Sequence, residues 1–105
     1  MSNLIEVNES NFEAEVLQSS VPVVVDFFGE YCGPCRMIKP ALVLLSEELS
    51  GTAKIVTVDV VANPKLVRNY AVSAVPTVLV IREGKEVHRM VGLGALSELR
   101  EALQL

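Results

Sequence analysis

Tryptophan is absent from this chain of 105 residues, histidine occurs once and cysteine twice. Those few side chains fall short of the four Cys/His ligands that a structural zinc site takes, so no metal is expected within the chain. Nine basic residues stand against thirteen acidic ones, giving a net charge of −4, and lysine and arginine do not cluster. The electrostatic footprint of a nucleic-acid or anionic-membrane binder is missing, and protein partners are expected instead. No apolar run approaches the ~20 residues of a membrane span. The start, Met1-Ser2-Asn3-Leu4-Ile5-Glu6, lacks the basic residues and apolar stretch of a secretory signal, which makes the cytoplasm the expected address. Repeats, linkers and low-complexity segments are missing too. With 50% hydrophobic and 21% charged residues, residues 1–105 are expected to form a single globular domain around one core.

The two cysteines that are present lie together in Cys32-Gly33-Pro34-Cys35, where an apolar run gives way to a helical pattern. Thiols at that spacing can open and close as a disulfide. A helix N-terminus offers unpaired backbone N–H groups and the positive end of the helix dipole, which favour a thiolate at the first cysteine. A disulfide across so short a loop restricts the unfolded chain very little, so stapling is not its purpose. The chemistry indicated is dithiol–disulfide exchange.

The order of elements is readable from periodicity and turn residues. Ile5 and its neighbours from Leu4 to Val7 suit a short strand. Ser10-Asn11-Phe12-Glu13 has the form of a capping box opening a helix to about Gln18. Val21 to Phe28 is a near-continuous apolar strand of the kind found at the centre of a sheet. From Cys32, Met37, Ile38, Ala41, Leu42, Leu45 and Leu49 recur at threes and fours until Gly51, with Pro40 inside and expected to kink the helix. Ile55 to Val60 reads as a strand, and Asn63-Pro64 as the cap and first position of a short helix to about Tyr70. Thr77–Ile81 and Glu86–Val91 form a hairpin across Arg82-Glu83-Gly84-Lys85, and Leu96, Leu99 and Leu103 mark one face of a last helix. The predicted fold is α/β, a mixed sheet of about five strands flanked by about four helices, with the cysteines at a strand's carboxyl end, where open α/β sheets generally bind ligands.

Asp26 is the one break in its apolar strand. A buried carboxylate without a partner is costly, which makes Asp26 the best general-base candidate; the alternative is an outward Asp on a half-exposed strand. His88, the single histidine, reads as a polar residue on the outward face of the hairpin.

Val23-Val24-Val25-Asp26-Phe27-Phe28, then Tyr31-Cys32-Gly33-Pro34-Cys35-Arg36-Met37-Ile38-Lys39-Pro40, and downstream Val75-Pro76-Thr77, together with Asp59, Asn63-Pro64, Gly84 and Gly92, closely resemble the thioredoxin family over essentially the whole length. The resemblance implies a protein disulfide reductase in which Cys32 is the nucleophile, Cys35 the resolving thiol and Asp26 the group that exchanges a proton with Cys35. It implies redox tuning by Gly33 and Pro34, and a cis Pro76 whose neighbour Val75 pairs with an extended target segment, in a groove that Tyr31 and Gly92 help to line. It also implies no bound cofactor beyond the Cys32–Cys35 disulfide, and a monomeric electron carrier recycled by a thioredoxin reductase and serving disulfide-containing proteins. Two departures stand out. Tyr31 replaces the tryptophan usual before the first cysteine; a tyrosine can still pack flat beside the site, and its hydroxyl adds a polar handle. Thr57 occupies the place where the family often carries a lysine, so Asp26 is expected to lack that counter-charge and to have a pKa raised by burial. Rival readings are a disulfide oxidase or isomerase, a glutaredoxin, and a non-catalytic interaction module. Gly33-Pro34 between the cysteines favours the reductant.

Overall fold

The computed structural model describes residues 4–103, and of Leu96 the backbone only. The expectation drawn from the first three residues, and the place of the Leu96 side chain on the last helix, lie outside what is described. Strands β1 (Ile5–Glu6), β2 (Val23–Phe28), β3 (Lys54–Asp59), β4 (Thr77–Arg82) and β5 (Lys85–Val91) form one five-stranded sheet in the order β1-β3-β2-β4-β5. Helices α1 (Gly33–Glu48), α2 (Pro64–Asn69) and α3 (Ala95–Ala102), with a π-helical turn at Glu13–Leu17, connect and cover it. β3 runs parallel to both β1 and β2, whereas β4 is antiparallel to β2 and to β5. This is the mixed sheet expected from alternating strands and helices that end in a hairpin.

The alternation of side chains along a strand divides the core in two. Val24 of β2 faces a cluster with Ile38, Leu42 and Leu45 of α1 and Leu99 of α3. Val23, Val25 and Phe27 face the opposite side, with Phe12, Val16 and Leu66. β2 is apolar except at Asp26 because both its faces are covered. By the same parity Asp26 points to the face that α1 covers. β5 is an edge strand in which Met90 alone is buried, and its exposed Lys85, Glu86, His88 and Arg89 guard against pairing with another chain. The hairpin closes through Glu83 and Gly84, both at positive φ (51° and 79°), the conformation that two-residue hairpin loops require. α1 runs as one helix of 16 residues through the exposed Pro40.

Two local signals resolve differently from expectation. The Ser10–Glu13 capping box does not form. Asn8, two residues upstream, accepts hydrogen bonds at Oδ1 from the Ser10 N–H (2.9 Å), the Ser10 hydroxyl (2.6 Å) and the Asn11 N–H (3.1 Å). Ser10 is thereby held in a turn, and only the short π-helical segment follows. Asn63 does stand at the N-cap of α2, but its side chain caps nothing. Its Oδ1 accepts from the Glu9 N–H (3.0 Å) and its Nδ2 donates to the Asp59 carbonyl (2.9 Å). Glu9 supplies the cap instead, its Oε2 accepting from the Lys65 N–H at 2.7 Å. Glu9→Ala is expected to lower stability by about 0.5–1 kcal/mol, read as a shift of the urea midpoint, while Ser10→Ala has a smaller effect.

Candidate functional site

The site is built where β2 hands over to α1. Cys32 is the N-cap residue of α1 in extended conformation, and its Sγ accepts a hydrogen bond from the Cys35 N–H at 3.1 Å. That N–H is one of the donors a helix start leaves unpaired. In the structure Cys32 and Cys35 are joined by a disulfide with a Cα–Cα distance of 5.2 Å. The Cys32 sulfur therefore stands in for the thiolate of the reduced form, a stronger acceptor from the same N–H. Cys32 is half-buried and reachable, and Cys35 is 5% exposed. Pro34 occupies the first turn, where a missing N–H costs little. A side chain at Gly33 would meet no atom within 4 Å, so packing does not dictate glycine there.

Beneath the disulfide lies a cavity of about 230 Å³ lined by Asp26, Cys35, Lys39 and Thr57, with Glu6 and Arg36 among its outer residues. Asp26 is 3% exposed, and its Oδ1 makes no hydrogen bond among the described residues. Burial pushes its carboxyl up from 3.8 to about 7, against the opposing pull of the Lys39 ammonium. The expected desolvation-driven rise is present, and the lysine expected to be missing from the place of Thr57 is missing. Thr57 is the register partner of Asp26 across β3, as its place in the sequence suggested. Lys39, four residues beyond Cys35, lies one turn along the same helix face and supplies the positive charge from α1 instead.

Above the disulfide an open groove is lined by Tyr31, Cys32, Pro34, Val61, Ala62 and Val75, among others. A methyl group built on Gly29 would lie 3.6 Å from Cys32 Cβ and 3.5 Å from Val75 Cγ2, which places those two side chains around one point. The Val75–Pro76 peptide is cis. Gly92, at φ 81°, donates its N–H to the Pro76 carbonyl at 2.9 Å, a backbone shape that favours glycine. Among the described residues Val75 keeps its own N–H and C=O unpaired. Tyr31 is 89% exposed and stands on the rim of this groove. No ring in the described aromatic contacts reaches it, since these join Tyr70 to Phe12 and Phe27.

The structure thus brings Cys32, Cys35 and Asp26 together around one disulfide, with Tyr31 and Val75 lining the groove at its mouth. Pro76, buried, follows Val75 through the cis bond, and Gly92 is tied to the Pro76 carbonyl; neither lines the groove itself. Sequence reasoning missed Val61 and Ala62, although two apolar residues in a loop before Asn63-Pro64 were a visible signal. Val61 is 81% exposed, and its N–H is held by Asp59 Oδ1 at 2.9 Å, so an apolar side chain is fixed at the rim of the groove. His88 sits exposed on β5, the polar outward position expected of it, its Nε2 3.7 Å from Glu98. Among the described residues no group of His, Cys, Asp and Glu is arranged to hold a metal ion, and no helix is long and apolar enough to cross a membrane.

The site joins a redox-capable pair at a helix start, a buried acid below it and a cis proline beside it. The family model described as Thioredoxin matches residues 3–105. The chain is 36% identical over 104 residues to Thioredoxin 1 of Nostoc sp., covering 99% of this chain and 97% of that one. It is 38% identical over 101 residues to Thioredoxin of Mycobacterium tuberculosis, covering 95% and 87%. With Thioredoxin of Rickettsia felis it shares 37% identity over 87 residues, 83% of either chain. Likeness of this extent, falling on a structure whose disulfide and cis proline occupy the positions that the sequence motifs pointed to, makes the chain a member of the thioredoxin family.

Proposed function

We propose that the chain is a protein disulfide reductase, an electron carrier that acts as a monomer in the cytoplasm, is recharged by a thioredoxin reductase and binds no nucleic acid. In the reduced protein the Cys32 thiolate attacks one sulfur of a target disulfide. A Cys32–target mixed disulfide forms and the other target sulfur leaves as a thiolate. Ionised Asp26 takes the Cys35 proton through the cavity the two share, and the Cys35 thiolate attacks the Cys32 sulfur. The second target sulfur leaves, the Cys32–Cys35 bond closes, and two electrons have passed to the target. The second attack is fast because it is intramolecular. The recycling reductase returns the two electrons.

The observation that carries this reading is the contrast between the two sulfurs, with Cys32 accessible at a helix cap and Cys35 buried one turn in over Asp26. The Val75 backbone, unpaired among the described residues, supports docking of an extended target segment by strand-type pairing. Insulin-disulfide reduction with candidate reductases tests it. Turnover supports the reading, and failure with every reductase and with dithiothreitol as reductant overturns it. The groove rim supplies a further expectation. Val61→Asp puts a charge where an apolar side chain stands, and kcat/KM for insulin should fall about threefold, measured by initial rates, while that of a small aromatic disulfide changes little.

A further inference from the structure

We propose that the Glu86–Arg89 pair of β5 is a positioning device for the target-binding segment 72–75, and so sets the affinity for protein disulfides. The inference rests on the reading of Val75 as the backbone edge with which targets pair. Arg89 is gripped by Glu86 in a fork, Nε to Oε2 at 2.8 Å and Nη2 to Oε1 at 2.9 Å. The same guanidinium donates from Nη2 to the Tyr70 carbonyl at 2.5 Å and from Nη1 to the Ala71 carbonyl at 3.4 Å. Tyr70 is the C-cap of α2, and Ala71 follows it at φ 51°, the left-handed conformation that ends many helices and that favours glycine over alanine. A cation from the edge strand thus occupies carbonyls at the negative end of α2 and holds a non-glycine residue in that turn.

The chain then runs from Val72 to Val75 and is anchored again at its far end. Thr77 Oγ1 donates to the Ala74 carbonyl at 2.6 Å, and the Gly92 N–H to the Pro76 carbonyl at 2.9 Å. Between these anchors lie the N–H and C=O of Val75, free among the described residues. A binding edge whose own backbone is unpaired keeps its shape only if its ends are fixed, and ordering it at the moment of docking would weaken binding. Exposed ion pairs contribute little stability in themselves. The planar fork of arginine is what matters here, since it serves a carboxylate and two carbonyls at once, which a lysine ammonium does not match.

The test compares Arg89→Met, Arg89→Lys and Glu86→Gln with the parent, all oxidised proteins first being shown to unfold cooperatively. For Arg89→Met we expect KM for insulin to rise about tenfold with kcat within about twofold, and reduction of a small aromatic disulfide, which needs no strand docking, to stay within about twofold. Arg89→Lys should recover part of the KM, and Glu86→Gln should fall between. Amide exchange at residues 71–75 should quicken about tenfold in Arg89→Met, with β2 unchanged. That readout needs no substrate, so it judges the clamp even if the parent fails to reduce insulin, a failure that belongs to the reading of function. An unchanged KM in a folded Arg89→Met overturns the proposal. So does an equal fall in insulin and small-disulfide reduction, or unchanged exchange at 71–75.

Discussion

Cys32→Ser abolishes insulin-disulfide reduction, a loss of at least about a thousandfold in initial rate, and Cys35→Ser stops turnover while accumulating a covalent mixed disulfide with the target. The two variants differ because the two sulfurs do different work. A serine hydroxyl at position 32 is no nucleophile toward a disulfide, so nothing is captured. With serine at position 35 the first attack proceeds and no resolving thiol follows. Non-reducing electrophoresis with a dithiothreitol chase separates the outcomes. Reduction that survives in Cys32→Ser would assign the chemistry elsewhere, and an absence of adducts in Cys35→Ser would deny Cys35 its place as resolving thiol. A role as an interaction module alone predicts that both variants keep their partners.

Asp26→Asn makes the protein more stable and less active, a pairing that a merely structural residue does not give. The folded carboxyl titrates near 7 and the unfolded one near 3.8, so the folded state holds its proton over a range in which the unfolded state has released it. The sign follows from linkage: the contribution is fully present below the unfolded value, is lost as pH rises toward 7, and is flat above. At ~1.36 kcal/mol for each pH unit, the loss is on the order of 4 kcal/mol. The neutral amide of the variant carries no such charge. Urea unfolding of the oxidised variant should therefore show a gain of a few kcal/mol near about pH 8 that disappears below about pH 4. The proton-accepting role has the opposite sign. Ionised Asp26 is the base, so decay of the mixed disulfide should quicken as pH rises through about 7 in the parent. In Asp26→Asn the decay should slow by about a hundredfold near neutrality and lose that inflection. Equal stability at both pH values, or a parent rate without the inflection, would remove Asp26 from the mechanism.

The sequence made the central chemistry legible because it is local. Cys32 and Cys35 lie within one helical turn, and Asp26 breaks an apolar strand that is buried on both faces. Strand and helix order followed from periodicity for the same reason. Most of what stayed hidden depends on contacts between distant segments. Ser10 lost its expected cap to Asn8, a local competition that pattern alone does not rank, and Asn63 lost its own to Glu9, which is 54 positions away. Lys39 stands in the recognised motif, but its nearness to Asp26 needs the packing of α1 over β2. Arg89 reaches Tyr70 across 19 positions, a contact no sequence pattern announces. The cis Val75–Pro76 bond came from family resemblance, since the dipeptide does not itself select an isomer.

The most direct test of the account is the rate of alkylation of Cys32 in the fully reduced protein as a function of pH, with Cys35→Ser as the single-thiol control. Because the Cys32 sulfur caps α1 and accepts the Cys35 N–H, alkylation should reach half its limiting rate well below the ~8.5 of a free cysteine and remain fast at neutrality. A profile centred near ~8.5, or a thiol that reacts only on unfolding, would contradict it.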